Sequence, residues 1–356
     1  MSLLLNIVAC LLGVGLAALA VLSAMRTLVV PRSSRDRVAR TVGLVVRRLF
    51  DLWTLRLSSY AQTDRLMAWL SPSSLLLLVV VWLVMVLAGY TGIFLLLTGD
   101  GLRDAFILSG SSLLTLGFAS PAADTATTAV SFTEAAIGLI LIALLIAYLP
   151  AIYSAFSRRE ALVGMLEVRA GSPPSSVELL ARYRRIQGLG QLGELWERWE
   201  VWFVELEETH TSLAALNFFR SPRPERSWIT AAGIVLDAAA LTASTVDIPR
   251  DARADLCIRA GYLALRNIAS YFSIPHDEHP SPGDPISISR AEFEGAYDRL
   301  AEAGLPLKPD REDCWRHFAG WRVNYDTVLL ALAQLTAAPI AEWISDRGPL
   351  NQPRES

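Results

Sequence analysis

Three stretches of the sequence lack charged residues for long enough to cross a lipid bilayer. They run from Leu3 to Met25, from Leu75 to Leu97 and from Ala135 to Phe156. Ser71-Pro72, an N-cap followed by a proline in the first turn, is the expected start of the second helix. A helix of about 20 apolar residues spans the hydrocarbon core of a membrane. Of the 356 residues, 53% are hydrophobic, which is more than an ordinary soluble domain carries. The sequence therefore predicts an integral membrane protein.

The distribution of charge divides the chain into two parts. Long uncharged runs end at Phe156, and charged residues are dense from Arg158 onward. We therefore expect an all-α protein whose membrane half precedes a soluble domain large enough for its own core. The predicted divisions are an N-terminal transmembrane helix at 1–25, an interfacial segment at 26–72, a membrane domain with two spanning helices at 73–157, and a helical domain at 158–356.

Arginine predicts the orientation in the membrane. Nine arginines and three aspartates lie between the first two runs, a charge of +6, and positively charged loops stay in the cytoplasm. The N-terminus is then outside a plasma (inner) membrane, and the 158–356 domain is cytoplasmic. An alternative makes the first run a cleaved signal peptide, with Ala18-Leu19-Ala20 as the cleavage site. That alternative lacks the basic segment that precedes such a peptide.

The segment between the first two runs has a helical apolar pattern. Val38, Val42, Val45, Leu49 and Trp53 recur at helical spacing, and most of the arginines lie off that face. This pattern predicts an amphipathic helix on the inner membrane surface. Such a helix could couple cytoplasmic movement to the next span, or it could lie there passively.

A shorter uncharged segment lies between the second and third runs. It extends from Ala105 to Ala119, which is too short to cross as a helix, so we expect a re-entrant segment. A helix is predicted from Leu102 to about Leu114, with Asp100 or Asp104 capping its first turn. A re-entrant helix that only packs against its neighbours also fits.

The residues after this predicted helix are Thr115-Leu116-Gly117-Phe118-Ala119. They resemble the T-V-G-Y-G filter of the potassium-channel superfamily, whose unit is helix, pore loop, helix. The resemblance covers Leu75 to about Phe156. It implies that backbone carbonyls of Thr115 to Ala119 coordinate K⁺, or Na⁺, and that four identical subunits surround one axis. It also implies that Leu116 and Phe118 pack behind the filter.

Two positions depart from that family pattern. Ala119 stands where the second filter glycine belongs, and a left-handed alanine costs roughly 1 to 2 kcal/mol. Ser120 stands where an acidic residue usually follows. A less selective pore for monovalent cations is therefore an alternative to a strictly potassium-selective one.

Acidic residues surround the expected outer mouth of the pore. Arg103 is the one basic residue among them, so the local charge would concentrate cations. Glu134 also fits an interfacial position at the end of the third span. The outer-mouth residues are Asp100, Asp104, Asp124 and Glu134.

A proline late in the third run suggests where an inner gate would lie. Pro150 removes the hydrogen bond to the carbonyl of Ile146, so we expect a kink there. In the superfamily the inner helix bends to open the gate. That bend is often at a central glycine, and no glycine follows Gly138 in this span. We therefore hypothesise that Pro150 defines the bend and that Ala147, Ile152 or Tyr153 narrows the inner mouth.

Helical patterns fill the predicted soluble domain, and the last one runs from Arg311 to Ile344. The Gly188–Gly193 segment matches G-x-G-x-x-G but follows a helix rather than a strand, which argues against a dinucleotide site. His276 and His279 could bind a metal, but no further ligand pair accompanies them. An aromatic stripe at helical spacing predicts a core face or subunit interface, and its members are Trp196, Trp199, Trp202, Phe203 and Leu206.

The sequence also limits the classes of function. No nucleophile–base pair, acid pair or phosphate loop indicates an enzyme or a bound cofactor. The net charge is −3 and the soluble half is acidic, so a nucleic-acid partner is not expected. We expect this half to assemble the tetramer and to respond to an unidentified cytoplasmic ligand or protein. The alternative is a membrane-anchored sensor or scaffold that conducts nothing.

Overall fold

The computed structural model describes residues 3–30, 36–57, 59–99, 101–119 and 124–346. These residues form thirteen α-helices and two short 3₁₀ turns, and they contain no β-strand. The chain forms two compact units. The first contains residues 1–58 and 66–154, and the second contains residues 59–65 and 155–356.

The first unit is built from long apolar helices. Its helices are α1 (Leu3–Leu28), α2 (Arg37–Thr54), α4 (Leu70–Thr98), α5 (Leu102–Leu113) and the first part of α6 (Thr125–Ala170), while most of α3 (Tyr60–Met67) belongs to the second unit. Each predicted span lies within one of these helices.

Two predicted helix boundaries are wrong. The second span begins at Leu70 with Trp69 as N-cap, rather than after a Ser71-Pro72 cap. Pro72 still lies in the first turn, where its missing N–H costs no hydrogen bond. The helix that contains the third span does not end near Phe156, because α6 continues without interruption to Ala170 through residues that favour helix. Residues 155–170 of α6 belong to the second unit.

Four segments are long and apolar enough to cross a membrane. In three of them, 28%, 39% and 22% of the most apolar window is buried within the protein, so their apolar side chains face outward. Apolar side chains exposed to this extent are more stable in contact with membrane hydrocarbon than with water. The fourth, Trp228–Thr245, is 94% buried within the protein, and we describe it as the core helix of the second unit.

Glycines bring α1 and α4 into close contact. A Cβ atom on Gly13 would collide with the carbonyl of Gly89, and one on Gly92 would lie 2.5 Å from the Ala9 carbonyl oxygen. Small residues permit such backbone approach between membrane helices. Trp82 of α4 also donates to Ser23 Oγ at 2.8 Å. α1 is therefore an integral part of the first unit.

The α1–α4 contact predicts a difference between two neighbouring glycines. Gly13→Val is expected to lower the stability of the purified protein by about 1 to 3 kcal/mol, because the new side chain forces two backbones apart. Gly15→Val is the matched control, since a Cβ there meets nothing within 4 Å. Thermal unfolding in detergent measures both. Equal effects of the two substitutions would contradict this account of the contact.

The segment predicted as an amphipathic helix forms α2, whose apolar residues lie on two neighbouring faces. Within α2 the buried residues are Val42, Val46 and Phe50, while Leu49 and Trp53 are more than half exposed. The apolar spacing in the sequence, which includes Val38, Val42 and Val45, combined residues from both of these neighbouring faces. One apolar face therefore packs inside the first unit, and the other is left for lipid.

The second unit surrounds one apolar helix, α9. All residues of α9 except Ala243 are buried. The helices of this unit are α7 (Ser176–Arg185), α8 (Leu192–Ser212), α9 (Trp228–Thr245), α10 (Ala252–Tyr271), α11 (Arg290–Glu302), α12 (Arg311–Arg322) and α13 (Asp326–Leu335), with 3₁₀ turns at Leu189–Gln191 and Ala214–Phe218.

A buried ionic network joins α9 to the last two helices. Arg322 donates to both carboxylate oxygens of Asp237, at 2.6 and 2.8 Å, and to Asp326 Oδ1 at 2.6 Å. Tyr325 donates to Asp237 Oδ1 at 2.9 Å. Burial opposes the cation, but the two carboxylates outweigh it and raise the pKa of Arg322. The guanidinium is thus charged at every physiological pH.

This network explains why the predicted helix from Arg311 to Ile344 is wrong. The chain leaves the helix after Arg322 and resumes it at Asp326. The break directs Arg322 and Tyr325 toward the Asp237 carboxylate on α9, and it places the Asp326 carboxylate against the Arg322 guanidinium. The side chains of Arg322, Tyr325 and Asp326 thereby gain buried hydrogen-bond partners, and the chain loses one helical turn.

A second buried cation lies where α6 enters the second unit. Arg159 is 4% exposed and donates to the carbonyls of Leu216 and Phe219, at 2.9 and 2.8 Å. Its Nη1 lies 3.2 Å from His210 Nε2, and His210 Nδ1 lies 2.9 Å from the Leu206 carbonyl. Because Arg159 can only donate, Nε2 must accept and Nδ1–H must donate. His210 is therefore the neutral Nδ1–H tautomer.

His210 should make the second unit sensitive to acid. Burial and the nearby Arg159 lower the pKa of His210 well below its ordinary 6.5. The unfolded chain then binds a proton that the folded chain does not, so stability is complete above about pH 6.5 and falls as pH decreases. The expected slope approaches about 1.4 kcal/mol per pH unit.

Unfolding measured between about pH 5 and 7.5 tests this slope. His210→Gln should flatten it, whereas His317→Gln should leave it unchanged because the His317 side chain is 58% exposed. The wild-type protein and both variants keep Glu160, which pairs with Arg159 at 2.9 Å, so Glu160 does not account for a difference between their slopes. A wild-type slope in His210→Gln would show that other groups control the acid sensitivity.

Candidate functional site

The candidate site is the short helix α5 and the loop that follows it, between α4 and α6. α5 has 12 residues, which at 1.5 Å per residue gives a length of about 18 Å. A bilayer core is about 30 Å thick, so α5 cannot cross it. The N-cap of α5 is Gly101 and makes no side-chain cap, so Asp104 is a first-turn residue rather than the expected cap. Asp100 lies outside the described residues.

Polar contacts and one glycine hold α5 against both long helices. Ser109 Oγ lies 3.0 Å from the Leu87 carbonyl of α4 and 2.5 Å from Glu134 Oε1 of α6. On the other side, a Cβ atom on Gly138 would collide with the carbonyl of Leu113. α6 therefore lies directly against the C-terminal end of α5.

The loop after α5 is not helical and is fixed through its N–H groups. The amide of Leu116 donates to the Ser111 carbonyl at 2.9 Å, and the amide of Ala119 donates to Ser111 Oγ at 3.1 Å. No described residue donates a hydrogen bond to the backbone carbonyls from Thr115 to Phe118. This arrangement leaves four consecutive carbonyl oxygens available to another ligand.

Backbone strain in the loop falls at Thr115 rather than at Ala119. Thr115 has φ 55° and Gly117 has φ 72°, and both lie in the left-handed region. Ala119 is not among the described residues with positive φ, so the strain expected from its Cβ does not arise. A β-branched residue in this region is unusual and is held there by its surroundings.

The two apolar side chains of the loop project away from their own chain. Leu116 is 59% exposed and Phe118 is 68% exposed. The resemblance implied that they pack behind a filter, but the described residues of the same chain leave more than half of each side chain exposed. Ser120, the second departure from the family pattern, lies outside the described residues.

The predicted outer-mouth acids have different environments. Asp104 is exposed. The Asp124 carboxylate caps the start of α6 by accepting from the backbone N–H of Ala126 and Thr127, at 2.5 and 3.0 Å. Glu134 is completely buried against Ser109, and its Oε2 has no hydrogen-bond partner among the described residues. Asp104 is therefore an exposed carboxylate, whereas Glu134 is buried inside the first unit.

The predicted gate residues share a face of α6, with one exception. Ala147, Pro150 and Tyr153 are three residues apart and exposed. Ile152 is 2% exposed, so it lies on the buried side and cannot narrow an opening on that face. α6 continues through Pro150 for a further twenty residues.

The candidate features of the second unit are structural. The aromatic stripe is buried in its core, as predicted. Gly193 of the G-x-G-x-x-G segment lies beneath the side-chain ends of Arg253 and Asp251. Across the described ranges, no group of three or more histidine, cysteine or acidic residues could hold a metal ion.

Comparison with protein-family models, with curated proteins and with solved structures finds no match to this chain.

Sequence reasoning found the loop but missed the contacts that hold it. The Ser109–Glu134 pair is separated by 25 residues, and neither residue belongs to a recognisable motif. An ionisable residue directly before a predicted span was the one available signal, because a buried carboxyl needs a partner.

Proposed function

We propose that this chain is one subunit of a tetrameric channel for monovalent cations that conducts potassium. One observation carries the proposal. Between two membrane-length helices, a helix too short to cross ends in Thr115–Phe118, whose carbonyl oxygens accept no hydrogen bond from a described residue. The match to the potassium-channel filter at four of five positions supports the same function.

The chemistry of a cation fits this loop. A dehydrated cation needs a ring of oxygens to replace its water, and backbone carbonyls can supply them. The C-terminal end of α5 precedes the loop and carries a partial negative charge of about half an electron. That charge adds to the attraction of the carbonyls for a cation. One chain supplies one loop, so a complete ring needs four chains.

The exposed faces of the first unit suit an assembly of copies. Phe106 of α5 and Phe132 and Leu139 of α6 are each more than half exposed. In a tetramer, neighbouring subunits would cover such residues together with Leu116 and Phe118. The face of α6 with Ala147, Pro150 and Tyr153 would then line the inner mouth.

The proposed topology follows the arginine distribution. The loop between α1 and α4 would be cytoplasmic, with the N-terminus outside and the second unit in the cytoplasm. α6 is one helix whose first part belongs to the membrane unit and whose last part belongs to the helical unit. It is therefore the natural element through which the helical unit would open the pore.

Reconstitution into liposomes tests the function. With a potassium gradient and a proton-coupled dye, we expect flux that depends on the protein, and a parallel sodium gradient measures selectivity. Chemical cross-linking in liposomes should give a limiting species of four subunits. A protein that forms monomers or dimers and passes neither ion would instead be a non-conducting anchor or scaffold.

The hinge has its own test. Pro150→Ala restores the hydrogen bond to the carbonyl of Ile146 and should straighten α6, which changes the fraction of time that the channel is open. Single-channel recording in planar bilayers measures that fraction. Unchanged gating in Pro150→Ala would place the hinge elsewhere and leave the conduction pathway intact.

A further inference from the structure

A large cleft opens in the helical unit, far along the chain from the candidate pore. It has a volume of about 1310 Å³ and lies among the starts of α8 and α10, the end of α9, and α12. Ligand sites in proteins are typically about 300 to 1,000 Å³, so a molecule the size of a nucleotide would fit. Ile248 and Trp321, both partly exposed, give the cleft apolar walls, and the buried Trp196 and Val246 lie behind them.

The charge of the cleft is opposite to that of the unit around it. Residues 158–346 contain 20 basic and 27 acidic side chains, a charge of −7. The cleft is lined by four basic residues and two acidic ones, a charge of +2. A concave site of reversed sign attracts anions. These six residues are Arg250, Arg253, Lys308, Arg316, Asp251 and Asp255.

The arginines at the edge of the cleft can change partners at little cost. Arg250 pairs with Asp255 at 2.6 Å, but the Arg250 side chain is 83% exposed. Arg253 pairs with Asp251 at 2.8 Å and is 43% exposed. Exposed pairs of this kind stabilise a protein by about 0 to 1 kcal/mol. An arriving anion could therefore compete for either guanidinium.

Lys308 is fixed on the cleft wall. Its Nζ donates to the carbonyls of Ala243 and Ser244, at 2.9 and 3.2 Å, at the end of α9. An ammonium group has three N–H donors, and no described residue accepts the third. Lys308 is also the only lysine in the sequence.

We propose that this cleft binds a small organic anion that combines an aromatic or other apolar body with a phosphate, sulfonate or carboxylate group. The apolar body lies against Ile248 and Trp321, which are both partly exposed. The anionic group is held by Lys308 and by Arg316, whose side chain is 67% exposed and pairs with Asp313. The proposal concerns the helical unit alone and does not depend on ion conduction.

The single lysine provides a direct test on the full-length protein in detergent. Pyridoxal 5′-phosphate is an aromatic aldehyde with a phosphate, and pyridoxal is the same aldehyde without it. Either forms an imine with a lysine amine and releases water, and borohydride then reduces the imine to a stable amine. Mass spectrometry of the peptide that contains Lys308 measures the labelling rate of Lys308 separately from that of the N-terminal amine.

We expect pyridoxal 5′-phosphate to label Lys308 at least about tenfold faster than pyridoxal, the lower limit of electrostatic attraction. Naphthalene-1,5-disulfonate should protect Lys308, and naphthalene-1-methanol should not. Arg316→Gln should reduce the ratio of the two rates, whereas Arg299→Gln should leave it unchanged, because Arg299 pairs with Glu342 outside the cleft.

Three outcomes would overturn the proposal: equal labelling by the two reagents, no labelling of Lys308 by either, or the same ratio in Arg316→Gln. The assay measures no ion flux. Its failure is therefore distinguishable from failure of the channel proposal, and a conducting protein without this selectivity would lose only the anion site.

Discussion

Substitution of Gly117 by alanine is expected to reduce potassium flux into liposomes by more than tenfold. Gly117 has φ 72°, and an alanine there costs about 1 to 2 kcal/mol. Four copies around one axis would multiply that strain to roughly 4 to 8 kcal/mol. The loop would relieve it by rotating its peptide groups, which turns the carbonyl of Leu116 or Gly117 away from the ion.

Gly99 provides a matched control for Gly117→Ala. Its φ is 70°, and a Cβ at either glycine meets nothing within 4 Å. Gly99→Ala therefore introduces the same backbone strain with the same free space, at the end of α4 instead of in the loop. We expect Gly99→Ala to keep its flux. An equal loss of flux in both variants would mean that backbone strain anywhere in the first unit inactivates the protein. Unchanged flux in Gly117→Ala would contradict the filter assignment.

The long helices were predictable because hydrocarbon imposes a simple requirement on sequence. A membrane span must be about 20 residues long and nearly free of charge, and Leu3–Met25, Leu75–Leu97 and Ala135–Phe156 satisfy it. Their ends were less predictable. Ser71-Pro72 has the composition of a helix start, yet the backbone is already helical at Leu70, since no breaker separates it from the apolar run.

The helical unit shows what apolar periodicity cannot predict. The pattern from Arg311 to Ile344 continues through Arg322, Tyr325 and Asp326, and nothing local indicates that the helix ends there. The break depends on Asp237, which is 85 residues from Arg322 in the sequence. A buried ion pair across that distance is a property of the folded protein, not of either segment alone.

The candidate pore loop was predictable only in part, less so than the long helices and more so than the helix break after Arg322. The filter motif identified Thr115–Ala119, and Gly117 in that motif has the positive φ that glycine adopts without strain. It misplaced the strain, which falls at Thr115, and it placed Glu134 at an open mouth. Both errors involve contacts with Ser109 and Ser111, which lie in α5 and belong to no motif.

Removal of the buried guanidinium of Arg322 is expected to be the most damaging single change to the helical unit. Arg322→Met leaves Asp237 and Asp326, both almost completely buried, without their cation. Breaking a buried pair in this way costs about 3 to 5 kcal/mol. For a unit of this size that corresponds to a fall of roughly 10 °C in the midpoint of thermal unfolding. Tryptophan fluorescence measures it, because Trp196, Trp199 and Trp202 lie in the same core.

Two further variants separate loss of charge balance from loss of packing. Arg299→Met removes a guanidinium of the same size whose ion pair with Glu342 is 46% and 41% exposed, and it should change stability by less than about 1 kcal/mol. Asp237→Asn in the Arg322→Met background removes one of the uncompensated carboxylates and should restore part of the lost stability. The double variant could instead be less stable than Arg322→Met alone. That result would mean that the guanidinium stabilises the unit through its packing and its hydrogen bond to the Trp343 carbonyl. The charges of the two carboxylates would then not explain why an arginine occupies this position.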